Sequence, residues 1–283
     1  MTLGHGGPSV QIYAIGRIQS IWTILGQKRQ KVVTDLRAGG TISHGGQSFK
    51  LLQTLGSGCF AEVWLAKSSK HGKVALKLIP EDVSKPQECE MYVKEGAKLR
   101  TLDHTNIIKC HLTFRFKSPT AFYTCIACEY LDGTTIHKYI RGNRTPLEIP
   151  RVNSVIHQLV SACIYLHNKG IVHSDFKSDN MMMTSKGKVK VLDFGHARMF
   201  DIHKPRPMGG GDLMFAAPEF AQKAPASPKA DMWGFGCIIA EMAMHRTIKE
   251  LCLRNQEKSF GHSPSTLAEV FSKVAAARNG LYL

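Results

Sequence analysis

The chain has 283 residues, 43% of them hydrophobic, enough for one large domain or two lobes with a substantial core. Its formal charge of +15 favours acidic partners, yet no dense Lys/Arg run with interleaved aromatics occurs, so specific nucleic-acid binding is not expected. Eight scattered cysteines form no paired zinc-ligand array and point to reduced thiols in a cytoplasmic or otherwise intracellular protein.

Residues 1–47 are glycine-rich and carry no Asp or Glu before Asp35. Within them Ile12, Ile15, Ile18, Trp22 and Leu25 recur at helical spacing, followed by Lys28, Arg29 and Lys31. Arg17 and Gln19 interrupt this run, which is too short to span a bilayer. Its positive charge follows the apolar part, the reverse of a signal peptide. We read an extension, either a docking helix or a disordered arm; membrane contact through residues 9–31 is the alternative.

Phe49 to Leu65 reads as strand, glycine-rich turn and strand, with Gly56 and Gly58 in the turn. Glycines there let backbone N–H groups approach phosphates without a Cβ in the way. No Gly-Lys-Ser/Thr follows, so the turn is not a Walker A loop. Val74 to Lys77 continues as a strand, and a helix follows over roughly 86–101. Gly96 in that helix, beside Glu95, costs about 1 kcal/mol of helix propensity and suggests a mobile helix. Phe122 to Leu131 reads as a buried strand, and its Cys125 and Cys128 as core packing, ahead of a linker over 129–133. From Pro150 to Lys169, Val155, Ile156, Leu159, Val160, Cys163 and Leu166 follow helical spacing, and Gly170 suits a helix stop.

The stretch from Ile171 to Gly195 carries the chemistry. Asp175 can take a proton from an attacking hydroxyl, and Asn180 and Asp193 can hold metal ions against nucleotide phosphates. Phosphoryl transfer places its charge on oxygens, so a site for it needs positioning and cation neutralisation above all. Between Asn180 and Asp193 there is room for a strand, a turn at Gly187 and a second strand.

Six runs together resemble the eukaryotic-type protein kinase family. His173-Ser174-Asp175-Phe176-Lys177-Ser178-Asp179-Asn180 is similar to H-R-D-L-x-x-x-N, and Asp193-Phe194-Gly195 to D-F-G. Gly56-Ser57-Gly58-Cys59-Phe60-Ala61-Glu62-Val63 resembles G-x-G-x-x-G-x-V, and Val74-Ala75-Leu76-Lys77 resembles V-A-I-K. Ala217-Pro218-Glu219 matches A-P-E, and Asp231 to Cys237 resembles the start of the family's buried central helix.

The resemblance implies an α+β, bilobal fold: a small β-rich N-lobe over 48–132 and a mainly helical, shortened C-lobe over 133–283. It implies transfer of the ATP γ-phosphoryl group to Ser/Thr hydroxyls of protein substrates. Lys77 would orient phosphates with Glu95 as its ion-pair partner, Asp175 and Lys177 would act at the hydroxyl, and Asn180 and Asp193 would bind Mg²⁺. Leu55, Gly56, Gly58, Val63 and Ala75 would meet the nucleotide from one side and Met182 from the other. Adenine would bond to backbone near Glu129 and Leu131, with Cys128 as gatekeeper. Asp231 would cap the backbone of the catalytic loop.

Several positions depart from the family pattern. Ser174 replaces the arginine of H-R-D, and residues 196–211 contain no Ser, Thr or Tyr, so activity without activation-loop phosphorylation is expected. Asp212 stands where Ser/Thr kinases usually place Thr, and like-charge repulsion with Asp175 would follow unless Lys177 sits between them. Residues 266–277 look helical, and Arg278 is the nearest candidate partner for Glu219. Ala61, Ser174, Asp212 and the short tail leave a second reading, a pseudokinase or scaffold that binds nucleotide and partners without efficient turnover.

Overall fold

The computed structural model describes residues 34–250 apart from 59–60, 83, 85, 201–210, 213, 218, 220–224 and 226. The proposed helix within residues 9–31, the helix at 266–277 and the Glu219–Arg278 pair therefore lie outside the described residues.

Six antiparallel strands form the N-terminal sheet: β1 (Thr41–His44), β2 (Gln47–Ser57), β3 (Glu62–Ser68), β4 (Gly72–Pro80), β5 (Cys110–Lys117) and β6 (Phe122–Glu129). Their spatial order is β1-β2-β3-β4-β6-β5. Because strand side chains alternate between faces, this sheet feeds two cores. Phe49, Trp64, Leu76, Leu78 and Cys125 pack together on one face. Ile79, Ile126 and Cys128 face the other way and join the core that continues into the helical lobe.

The sheet starts earlier than the expected boundary at residue 48. Thr41–His44 pairs in register with Gln47–Lys50, and Ile42 is fully buried, so this strand belongs to the sheet. The chain just before it is also fastened. Thr34 Oγ1 donates to the buried Glu62 at 2.6 Å, and Asp35 accepts from Ser118 Oγ at 2.6 Å, from Tyr123 OH at 2.7 Å and from Thr120. Those hydroxyls hold the Asp35 carboxyl down at about 2. The added strand also shifts the count: Lys77 lies on the fourth strand, not the third.

Helix α1 (Pro86–Arg100) packs on β5, and here Gly96 has a packing reason. A Cβ on Gly96 would lie 2.1 Å from Thr113 Oγ1 and 2.8 Å from Thr113 Cβ. The glycine lets helix and strand approach closely, which replaces the expectation that it loosens the helix.

In the second lobe, β7 (Gly133–Thr135), β9 (Met181–Thr184) and β10 (Val189–Val191) form a three-stranded sheet, with Gly187 turning the β9–β10 hairpin at φ 84°. A short helix, α2 (Ile136–Gly142), follows β7. The longer α3 (Ile149–Asn168) buries Val152, Val155, Leu159, Ala162, Cys163 and Leu166 as one stripe and stops before Gly170, whose φ is 67°. Two-residue strands β8 (Ile171–Val172) and β11 (Arg198–Met199) pair with each other. Helix α4 (Pro228–Met244) is buried along most of its length and touches the catalytic loop at Gly234, where a Cβ would meet Phe176 O at 2.5 Å. Among the described residues no helix is long and apolar enough to cross a membrane.

Replacing Gly96 by Ala forces a methyl into Thr113, an overpacking expected to cost about 1–3 kcal/mol. Chemical denaturation should show a lower midpoint for Gly96→Ala; an unchanged midpoint would mean that α1 is not held against β5.

Glu241 of α4 is buried, with Oε1 accepting from Ile248 N at 2.6 Å. Burial pushes its carboxyl up to about 7, although the Ile248 N–H opposes this. A carboxyl with a raised folded pKa holds its proton more tightly when folded, so its stabilising effect is complete below the unfolded value near 4.5 and lost as pH rises through about 7. This group should therefore lower unfolding free energy by about 3 kcal/mol across that window. Glu241→Gln should flatten the decline, and an identical pH profile in the variant would exclude the effect.

Candidate active site

Between the N-terminal sheet and β9 runs a cleft of about 320 Å³. Leu55, Gly56, Val63 and Ala75 line it from the sheet, and Met182 and Leu192 from the opposite side. Glu129, Tyr130 and Leu131 form its edge and Cys128 part of its inner wall. Thr135, Leu99, Ile108 and Ile126 also line it; no short motif marks these four, and only folding brings them there. Of the residues expected to meet the nucleotide, Gly58 stands outside this lining, with its N–H donating to Ala61 O at 2.9 Å. The Glu129 N–H is engaged within the protein, donating to Lys109 O at 2.9 Å.

At the deep end three charges meet. Lys77 Nζ lies 2.9 Å from Glu95 Oε1 and 2.8 Å from Asp193 Oδ1. β4 supplies the lysine, α1 the glutamate and the loop after β10 the aspartate. The Glu95 side chain is only 4% exposed, whereas that of Asp193 is 44% exposed toward the cleft. Burial pulls the Lys77 ammonium down, but Asp193 and Glu95 outweigh it and hold the lysine well above its ordinary pKa. Lys77 in turn holds the Asp193 carboxyl well below the usual carboxylate range. Burial raises Glu95 in spite of Lys77. Asp193 has φ 54°, a left-handed conformation that L-residues seldom adopt. Gly195 leaves room beside it: a Cβ there would sit 3.2 Å from Glu95 Oε2 and 3.3 Å from Asp193 Oδ1.

The loop after β8 presents Asp175. Its Oδ2 accepts from Lys177 Nζ at 2.9 Å and from Asn180 Nδ2 at 2.8 Å, and its Oδ1 accepts from the Asp212 N–H at 2.8 Å. Lys177 also lies 4.0 Å from Asp212 Oδ2, so the lysine stands between the two carboxylates. Burial lowers the Lys177 ammonium, but Asp175 first and then Asp212 raise it above its ordinary value. The repulsion foreseen from Asp212 is thus met by a cation, and the Asp212 backbone braces Asp175.

The loop itself is held from beneath. Asp231, in the first turn of α4, accepts from His173 N and Ser174 N, each at 2.8 Å, and contacts His167 Nε2 at 2.9 Å. His173 accepts from Asp175 N at Nδ1, 3.3 Å, which leaves Nε2–H to donate to Leu192 O at 2.9 Å. One imidazole thereby links Asp175 to Leu192, the residue just before Asp193. Gly211, at φ 86°, approaches so closely that a Cβ would lie 2.6 Å from Ser174 O.

The donor set suits a magnesium–nucleotide complex. Mg²⁺ takes one or two carboxylate or carbonyl oxygens and completes its shell with phosphate and water. Asp193 offers an exposed carboxylate in the cleft, and Asn180 offers its amide oxygen, because its Nδ2 is already bonded to Asp175 O and Oδ2. Lys77 stands beside them as a point charge for phosphate.

Comparison with known proteins gives the same picture. Residues 49–271 match the family model described as protein kinase domain. A probable serine/threonine-protein kinase of Dictyostelium discoideum is 32% identical over 67% of this chain and 16% of its own length. The mitogen-activated protein kinase sma-5 of Caenorhabditis elegans is 27% identical over 79% of this chain and 45% of its own. NUAK family SNF1-like kinase 2 of Rattus norvegicus is 29% identical over 68% and 30% respectively. The chain thus spans less than half the length of each of these relatives. The matched span covers most of both lobes and every residue of the cleft described above, and the chain belongs to the protein kinase domain family.

Proposed function

We propose that this chain is an ATP- and Mg²⁺-dependent protein kinase that phosphorylates Ser/Thr hydroxyls of protein substrates. The observation that carries this reading is Lys77 clamped between Glu95 and Asp193 at the deep end of the cleft, with Asp175 braced beyond it.

In this reading Val63, Ala75 and Met182 enclose the adenine, which bonds to the Glu129 carbonyl and the Leu131 N–H. Lys77 holds the phosphates, Glu95 holds Lys77, and Asp193 with Asn180 holds the metal. Mg²⁺, when bound, neutralises charge on the phosphate oxygens. Asp175 accepts the substrate hydroxyl proton as that oxygen bonds to the γ-phosphorus and the bond to the ADP oxygen breaks. Lys177, poised beside Asp175, faces the transferring group with a fixed positive charge. Donors already fix both Asp175 oxygens, so little reorganisation is left for the moment of reaction.

Acidic protein surfaces suit the +15 chain as partners. Residues 9–31 remain a candidate docking or membrane-contact segment by their sequence alone.

Transfer of labelled phosphate to a generic basic protein substrate tests the proposal. Wild type should label it, and Asp193→Ala and Asp175→Asn should each lose nearly all of the rate. Equal signals from all three would leave a scaffold that does not turn over. In the same assay Asp212→Thr keeps the backbone brace but removes the carboxylate competing for Lys177, so turnover should rise; an unchanged or lower rate would show that the carboxylate is not a burden.

A further inference from the structure

Cys128 and Cys110 lie directly opposite each other on β6 and β5. Just beyond them the Glu129 N–H donates to Lys109 O at 2.9 Å, and the Lys109 N–H donates to Glu129 Oε1 at 2.8 Å, which ties the two strands together there. Directly opposed residues on antiparallel strands have Cα atoms about 4.5–5.5 Å apart, and their side chains stand on one face within reach of each other. That separation falls within the span a disulfide bridges. Directly opposed residues share a face, and both cysteines belong to the core beneath the sheet. Cys125, three residues earlier, points to the opposite face and packs in the other core. The register is interrupted immediately after Cys110, between Cys110 and Leu112, which gives the strand slack where a bond would draw it in.

We propose that Cys110 and Cys128 form a peroxide-oxidisable dithiol, closing to a cross-strand disulfide at the back of the cleft and so acting as a reversible modification site. Cys128 lines the cleft, which gives a small oxidant its way in. The interaction with Cys128 holds the Cys110 thiol below its ordinary pKa despite burial, while Cys128 is held well above it. One thiolate of the pair attacks hydrogen peroxide, giving a sulfenic acid and one water. The other sulfur then displaces the sulfenic oxygen as a second water. Two thiols and one peroxide become one disulfide and two waters, and a thiol reductant reverses the change.

The pair is connected to the charge cluster through packing. Cys110 Sγ lies 3.8 Å from Thr113 Oγ1, and Thr113 fills the space where a Cβ on Gly96 would stand, beside Glu95. Drawing Cys110 toward Cys128 shifts the support under α1 and reshapes the inner wall that Cys128 provides. The effect on nucleotide rests on the reading under Proposed function; the disulfide does not.

The test uses the full chain, reduced and then treated with hydrogen peroxide. Tryptic mass mapping without reductant should find the peptide containing Cys110 joined to the one containing Cys128. The pair should carry a loss of two hydrogens, fragmentation should place the link at Cys128 with Cys125 free, and dithiothreitol should remove it. Absence of the linked peptide, or a link at Cys125, would overturn the proposal. Affinity for fluorescent ADP with Mg²⁺ should fall several-fold on oxidation, return with dithiothreitol, and stay constant in Cys110→Ser; an affinity unmoved by a formed disulfide would refute the coupling. A reduced chain that binds no ADP would instead count against the kinase reading, with the linked peptide still deciding the dithiol.

Discussion

One lysine in two ion pairs ties the molecule together. Lys77 joins a strand of the N-terminal sheet, the helix packed on that sheet and the loop that follows the second lobe's hairpin. Exposed ion pairs contribute on the order of 0–1 kcal/mol. This one is different because Glu95 is buried, and removing one partner of a buried pair costs about 3–5 kcal/mol by leaving a charge uncompensated. The pairing is therefore an obligation placed on the fold more than a gain in stability. It keeps a cation at the deep end of the cleft and leaves the exposed Asp193 carboxylate beside it.

A second carboxylate does the same work for the catalytic loop. Asp231 is 1% exposed and satisfies two backbone N–H groups of a loop that has no regular structure to satisfy them. His173 extends the support to the strand entering Asp193. Asp175 and the cleft-facing Asp193 carboxylate are thus held by one connected set of bonds, which is what the proposed chemistry, based on positioning, requires. Asp212 enters that set through its backbone, and Lys177 between the two carboxylates explains how Asp212 can occupy the position without repelling Asp175.

Much of this was legible in the chain because the motifs are short and each is local. Asp175, Lys177 and Asn180 share one loop, Lys77 lies on a strand with clear alternation, and the spacing to Asp193 leaves room for one hairpin. The Lys77–Glu95 pair was reachable because helix and strand could both be read. What escaped depended on approach through space. Thr41–His44 carries a single buried apolar residue, too little alternation to mark a strand, and is one only because β2 pairs with it. Gly96 looked like a weakness in a helix until Thr113 was seen against it. The Cys125–Cys128 spacing drew notice as a pair, yet alternation sends the two to opposite cores, and the true neighbour of Cys128 is Cys110 on another strand.

The most direct test of the double ion pair is an equilibrium titration of the wild-type chain with ADP, with and without Mg²⁺, repeated on Asp193→Asn and Lys77→Met. A lysine and a carboxylate sharing one phosphate–metal site predict a single binding event that Mg²⁺ tightens, with the tightening lost in Asp193→Asn and the affinity lowered in Lys77→Met. Wild-type binding indifferent to Mg²⁺, or variants that bind as the wild type does, would contradict it.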